Sequence, residues 1–239
     1  MPRPARNAPM PALRPISIDR TSPAPEQIHR ALRAAITSLE LAPGSPLSEG
    51  EVAQAYSVSR TPVREAFARL VEEQLLDVFP NLGTFVSLID PSLVAEASLI
   101  RRLLEGEAAA MAARERPAGL LAEMRAALAD HGKAVANGNA VAAYACDERF
   151  HRALFLEQRL GQMWAGVTRA RAQLERVHHL MTSQSGALGD ALAKHRAILA
   201  AIESGDAEAA RRAMNLHIDA NAAFLSSLAG HKHPFVRPA

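Results

Sequence analysis

The sequence predicts a mainly α-helical chain in two parts: three helices with a β-hairpin, then an all-α antiparallel bundle of about six helices. Three observations carry the prediction. Hydrophobic residues make up 49% of the 239 while aromatics make up only 4%, and the excess falls on Ala and Leu, which rank highest in helix propensity. Apolar residues recur at spacings of three and four through most of the chain. The stretch that departs from this period holds two short β-type runs, LLDVF and TFVSLI, joined by Pro80-Asn81-Leu82-Gly83, the composition of a hairpin.

Residues 1–22 are rich in Pro, Arg and Ala without periodicity, and are expected to be a disordered tail. A first helix is expected from Pro23 to Leu39, with Ser22 as its cap and Pro23 where a missing N–H costs nothing. Ile28, Leu32, Ala35, Ile36 and Leu39 share its apolar face, and Pro43, Gly44 and Pro46 end it. Ser48 and Glu51 form a capping box for a short second helix ending near Tyr56. After Ser57-Val58-Ser59, Thr61 is expected to cap a third helix that runs to Gln74 and buries Val63, Ala66, Phe67 and Leu70. Three helices followed by a two-stranded wing is the order of a winged helix-turn-helix, here spanning 23–89.

From Asp90 to residue 229 the pattern is helical, with breaks at Arg116-Pro117, Asn137-Gly138-Asn139, Arg159-Leu160-Gly161, Ser185-Gly186 and Gly205-Asp206. Gly205 suits a left-handed helix end and Asp206 the cap of the next helix. Residues 230–239 lack periodicity and are expected to be a loose tail.

Composition excludes several classes. No apolar run approaches the roughly 20 residues that a membrane helix needs, and the arginines near the start are not followed by the apolar stretch of a secretory signal. The single cysteine, Cys146, excludes an intramolecular disulfide and suits a reducing cytoplasm. Net charge is only +2, so nucleic-acid binding must rest on where individual arginines point. Residues 1–36 carry six arginines against two acids, whereas residues 37–90 carry three arginines against eight acids.

Two regions carry chemistry. In a helix-turn-helix the second helix of the pair enters the major groove of double-stranded DNA. Here its start offers Ser59, Arg60, Thr61 and Arg64, types that pair with guanine or hold phosphates. Arg33 can reach the DNA backbone, and the hairpin would lie towards the minor groove. In the second part, Asp147 and His151 stand one helical turn apart, while His195 and His217 sit among apolar residues of later helices. Spacing alone leaves two readings open, a metal site in the bundle interior or ordinary structural histidines. His29, His131, His178, His179, His231 and His233 are read as structural.

The stretch from Gln27 to Val86 contains ALRAAI, LAPGSPLSEGEVAQAYSVSRTPVREAFARL and PNLGTFV, and resembles the DNA-binding domain of the GntR family of bacterial regulators. The resemblance implies that Arg33, Arg60, Thr61 and Arg64 face DNA, with Ser59 and the wing-tip Gly83 supporting the fold. Two positions depart from the family: Gln74 stands where a glycine is usual, and Leu82 where the wing often has a polar or basic residue. Residues 91–228, with LIRRLLEGEAAAMAA, DERFHRALF and KHRAILAAIESGDAEAARRAMNLHI, resemble the FCD ligand-binding domain of the FadR-type branch. That resemblance implies a divalent metal on Asp147, His151, His195 and His217, zinc first and nickel or manganese next. It also implies that Arg101 faces the cavity and binds a small carboxylate effector, and Leu104 and Ala108 share its helical face.

The function so implied is a cytoplasmic, sequence-specific transcriptional regulator. It would act as a homodimeric repressor of a metabolic operon on a palindromic operator, with no enzymatic activity. The alternatives from other classes are a metal-dependent enzyme and a constitutive DNA binder with a structural metal.

Overall fold

The computed structural model describes residues 10–185, 188–229 and 233–238. These divide into two compact units, one comprising the chain up to Pro91 together with the segment from Leu228 onward, the other Ser92–Ser227.

The first unit contains α1 (Ala24–Thr37), α2 (Glu49–Ala55), α3 (Arg60–Glu72), β1 (Leu76–Phe79) and β2 (Gly83–Val86). Ile28, Leu32 and Ile36 of α1 and Val63, Ala66, Phe67 and Leu70 of α3 are buried, because each set recurs every three or four residues along its helix. Ser48 caps α2 by accepting from the Glu51 N–H. The strands pair antiparallel, with Leu76 opposite Val86 and Phe79 opposite Gly83.

Two helix starts differ from the sequence expectation. Pro23, not Ser22, is the N-cap of α1. Ser59, not Thr61, is the N-cap of α3. The cause is the preceding turn: Ser57 takes a left-handed conformation and the Val58 N–H donates to the Ala53 carbonyl (3.0 Å). The chain is thereby ready to enter the helix at Arg60, and Pro62 still lies in the first turn, where it removes no helical hydrogen bond.

At the other end of α3 the Leu75 N–H donates to the Leu70 carbonyl (2.8 Å) and the Gln74 N–H to that of Val71 (2.9 Å). This is a Schellman motif, and it places Gln74 at φ 58°, in the region that favours glycine. Gln74→Gly is therefore expected to stabilise the first unit by about 0.5–1 kcal/mol, read as a higher urea midpoint. A lower midpoint would contradict it.

The sheet is wider than the hairpin. The Leu47 N–H donates to the Thr84 carbonyl (2.9 Å), Gly44 to Val86 (2.8 Å), and Val86 back to Ser45 (2.8 Å). The APGSP segment thus does more than stop α1, because it covers the outer edge of β2. The segment before α1, expected to be disordered, is in part held as well. Gln27 Nε2 donates to the carbonyls of Asp19 (2.7 Å) and Ser22 (2.9 Å); residues 1–9 lie outside the described chain.

The C-terminal tail, 230–239, was expected to be loose; the structure corrects this for residues 233–238, while 230–232 and 239 lie outside the described residues. Ile89 N–H donates to the Phe235 carbonyl and Arg237 N–H to the Ile89 carbonyl, both at 2.8 Å. Residues 233–238 therefore form part of the first unit, bound by a backbone bridge whose partner lies far away in sequence.

The second unit is built from six helices among the described residues. They are α4 (Pro91–Glu115), α5 (Ala118–Ala136), α6 (Ala140–Leu156), α7 (Gly161–Ser185), α8 (Leu188–Ser204) and α9 (Ala207–Ala229). Their ends fall at the expected breaks. Gly205 is left-handed (φ 80°) and Asp206 accepts from the Ala209 N–H (2.8 Å). Ala108, Ala109, Ala112 and Ala113 of α4 are buried in one core with Phe150, Leu154, Phe155, Ile198, Met214 and Ile218. This core flanks the polar cluster described next. No described helix is long and apolar enough to cross a membrane.

Candidate functional sites

Three helices bring four side chains to one point. Asp147 and His151 come from successive turns of α6, His195 from α8 and His217 from α9, and all four are buried. The Nε2 atoms of the histidines lie 3.1 Å (His151 to His217), 3.2 Å (His195 to His151) and 3.3 Å (His195 to His217) apart. Asp147 Oδ1 is 3.3 Å from His195 Nε2 and 3.9 Å from His151 Nε2.

Hydrogen bonding among the three rings alone does not satisfy this arrangement. A neutral imidazole has one N–H and one lone pair, so three Nε2 atoms facing each other cannot all be paired. Burial holds the pKa of His195 down to about 3 and that of His217 well below its ordinary value, so both rings are neutral at pH 7. A tetrahedral ion with bonds of about 2.0–2.1 Å separates its ligand atoms by about 3.3 Å. The three nitrogen–nitrogen spacings and the His195–Asp147 spacing are close to that edge, and the His151–Asp147 spacing is longer. Asp147 completes the set as an anion: burial works to raise its carboxyl, but His151, His195 and Arg171 hold it well below the usual carboxylate range.

Behind the cluster lies a relay that sequence reasoning missed. Glu105 of α4 is buried and places Oε2 2.5 Å from His151 Nδ1. Arg101, one turn earlier, grips both oxygens of the same carboxylate through Nε and Nη2. Burial would raise the Glu105 carboxyl, but Arg101 and His151 keep it ionised. A carboxylate behind an imidazole fixes the ring and raises its basicity toward a metal. The signal was present in outline, since Glu105 is four residues from Arg101 on one helix face. Arg171 of α7 is the second omission. It is buried, holds Asp147 Oδ2 (3.3 Å) and stands 3.6 Å from Glu175. Nothing in its sequence neighbourhood separates it from the solvated arginines around it.

A cavity of about 50 Å³, partly open to solvent, adjoins the cluster and is lined by Arg101, Tyr144, Asp147, Arg171, Lys194 and His217 among others. Arg101 is among the lining residues, with two of its three nitrogens already on Glu105. Arg171 Nη1 is buried without a partner among the described residues. Of the histidines read as structural, His131 packs 5.6 Å from the His195 ring, His178 lines the cavity, and His29 pairs with Glu73 at 2.7 Å. His231 lies outside the described residues.

The buried imidazoles make stability depend on pH. His195 and His217 bind fewer protons folded than unfolded between their lowered folded values and the ordinary value near 6.5. Their contribution is therefore complete above about pH 6.5 and is lost as the pH falls. The metal-free second unit is expected to lose at least about 1 kcal/mol between pH 6.5 and 5.5. Urea midpoints at those two values test this, and equal midpoints would contradict it.

In the first unit, Ser59, Arg60, Thr61 and Arg64 are exposed on the side of α3 opposite its buried residues. No side chain caps α3 at Ser59, so its first N–H groups are open to an anion. The Arg60 guanidinium lies over Gly50 of α2, within 3.2 Å of where a β-carbon would stand. Arg64 is largely exposed and 3.4 Å from Glu49. Gly83 sits at the wing tip with φ 114° and open space around it, so the backbone conformation, not room, demands glycine. Arg33 differs from the others: its Nε is 3.1 Å from Glu73 Oε2, which ties α1 to the end of α3.

The chain matches the family described as "Bacterial regulatory proteins, gntR family" over residues 24–86 and the FCD domain over residues 96–220. It is 38% identical over 194 residues to an HTH-type transcriptional regulator in an unstable DNA locus of Streptomyces ambofaciens, covering 81% of each chain. It is 31% identical over 198 residues to the HTH-type transcriptional repressor RspR of Escherichia coli K12, covering 83% of this chain and 87% of that one. The solved structure of a GntR transcriptional regulator from Rhodococcus sp. RHA1 superposes with a TM-score of 0.71 at 26% identity, over 86% of this chain and 99% of that one. A winged helix-turn-helix followed by a helical domain with a buried His/Asp cluster is thus matched in both halves by one family of transcriptional regulators, not enzymes. The chain is a DNA-binding transcriptional regulator of the GntR family with a C-terminal FCD domain.

Proposed function

We propose that the protein is a cytoplasmic homodimeric repressor of a metabolic operon, released or engaged by a small carboxylate that binds beside a divalent metal in the second unit. The observation that carries this reading is the convergence of three neutral or partnered imidazoles and one carboxylate on a cavity that also presents arginines. Asp147, His151, His195 and His217 would hold the metal. Three nitrogens and one oxygen suit zinc, and nickel and manganese are the other candidates. Bound there, the metal would supply a Lewis-acidic anchor for a carboxylate.

The chain's own residues do the rest. Glu105 orients His151, and Arg171 holds Asp147 by one oxygen, leaving the other for the metal side. Arg101 faces the cavity and can receive the effector's carboxylate through the nitrogen not committed to Glu105. The unpartnered Nη1 of Arg171 offers a second donor. Guanidinium groups suit carboxylates because their planar forks match the two oxygens.

On the DNA side, Arg60, Thr61 and Arg64 would enter the major groove, with the open start of α3 on a phosphate. Arg33 would touch the backbone only beside its Glu73 pair. Gly83 would let the wing turn, while Leu82 offers the minor groove no hydrogen bond. A two-fold dimer matches a palindromic site. Replacing Arg60 or Arg64 with alanine is expected to weaken binding to an operator selected from random DNA by about 10–100-fold, measured by fluorescence anisotropy. A loss under about twofold for both would remove α3 as the reading helix.

Elemental analysis of protein purified without chelators tests the metal. About one zinc, nickel or manganese per chain supports the site. Metal-free protein that also shows no thermal shift with any of the three ions contradicts it.

A further inference from the structure

Gly50 stands in the first turn of α2, although glycine is the least favourable helix residue after proline. Its backbone is ordinary helix and not among the left-handed positions of the chain, so conformation does not call for glycine. Space does. A β-carbon there would lie 3.2 Å from Arg60 Nη2, 3.6 Å from Cζ and 3.7 Å from Nε. The three nearest contacts thus belong to one guanidinium, which lies across the bare Cα instead of touching it with a single tip. At 3.2 Å, any residue with a β-carbon would make the group move.

The surroundings of this seat sharpen its role. Arg64, one turn further along α3, stands 3.4 Å from Glu49, the residue before Gly50. The first turn of α2 therefore receives both outward arginines of α3, one on a carboxylate and the other on naked backbone. Arg60 has no such ion pair among the described residues, so its five N–H donors remain uncommitted. It is also exposed, so the seat restrains the side chain without hiding it. An arginine loses much rotamer freedom when it is fixed on a partner, and a side chain already confined loses less of it on binding.

We propose that Gly50 is a positioning residue for DNA recognition: by lacking a side chain it holds the Arg60 guanidinium in one orientation at the start of α3, and so sets the base preference that Arg60 confers. Gly50 acts here through Arg60 and touches no base itself. The inference rests on the reading of α3 given above, with Arg60 on DNA.

The test is a double-mutant cycle on the full chain. Gly50→Leu and Gly50→Ala are made alone and together with Arg60→Ala. Binding is measured by fluorescence anisotropy on an operator selected from random DNA by the wild type, and on its single-base variants. Gly50→Leu is expected to weaken operator binding by about tenfold and to flatten the preference at the base pair that Arg60→Ala also relaxes. Gly50→Ala adds one carbon and asks for a small shift, so about two- to threefold is expected. In the Arg60→Ala background both substitutions should change binding by less than about twofold, because no guanidinium is left to displace. Urea midpoints at or above wild type are expected for both Gly50 variants, since leucine and alanine are better helix formers. Unchanged affinity and base preference in the two single variants would overturn the seat. So would tighter binding, which would make the seat a place where Arg60 is stowed. An equal loss with and without Arg60 would overturn it as well, because the new side chain would then meet DNA directly. Failure of the underlying reading looks different: Arg60→Ala alone would bind like wild type, and the role of Gly50 would fall with it.

Discussion

Replacing His195 with alanine is expected to weaken metal binding by about a hundredfold or more. Loss of a partner that only orients a ligand typically costs about 10–100-fold in affinity, and loss of the ligand itself removes a bond as well. His195 is the hub of the cluster, within 3.3 Å of His151, His217 and Asp147. The thermal consequence follows from linkage. At a zinc concentration about a hundred times the wild-type Kd, binding stabilises the fold by about 2.7 kcal/mol; in a variant bound a hundredfold more weakly it contributes only about 0.4 kcal/mol. A wild-type Tm shift of roughly 10 °C should thus shrink to one or two degrees. Each protein is compared with its own metal-free form, because His195 also stacks on Phe150 (4.5 Å) and the substitution changes that contact regardless of metal. An undiminished zinc-induced shift in the variant would place the metal elsewhere.

Glu105→Ala is expected to cost about 3–5 kcal/mol of stability, the largest effect of any single change considered. The substitution strands Arg101, whose guanidinium is buried and committed to that carboxylate through two nitrogens, and a buried charge without its partner is destabilising on that scale. Removing both charges tells a different story. Arg101→Met combined with Glu105→Leu should recover most of the loss, since an apolar pair of similar volume is often neutral relative to a buried ion pair. The double variant should nonetheless bind metal more weakly, because His151 Nδ1 then faces no carboxylate. Chemical denaturation of the two proteins, with zinc titrations, separates the structural role of the pair from its role toward His151. A single variant within about 1 kcal/mol of wild type would contradict the account of the relay.

Much of this architecture is legible in the chain because local chemistry dictates it. Gly205-Asp206 ends one helix and caps the next with groups that act within four residues. Asp147 and His151 share a face by spacing alone, and the buried stripe of α3 follows from its period. What was not legible depends on partners distant in sequence. Ile89 and Val236 meet across 147 positions, so HPFVRPA reads as a loose end until its partner is seen. Ser45–Leu47 reads as a helix breaker, although it pairs with β2. Arg171 has the same local signature as a solvated arginine, and only the bundle places it against Asp147. Arg33 reads as a free cation, whereas Glu73 at the far end of α3 holds it. The caps of α1 and α3 shifted by one or two residues because the turns before them, not the nearest hydroxyl, decide where each helix begins.

The central claim is that occupancy of the second unit controls the first, and operator affinity measures it most directly. Wild-type protein, zinc-loaded or chelator-stripped, would be titrated onto a selected operator across a panel of small mono-, di- and hydroxycarboxylates. The account predicts that at least one acid changes the operator Kd by about 5–150-fold in zinc-loaded protein, and by far less after stripping. Operator affinity that is the same with and without zinc, and with every acid in the panel, would contradict it and leave a DNA binder that does not respond to its own buried site.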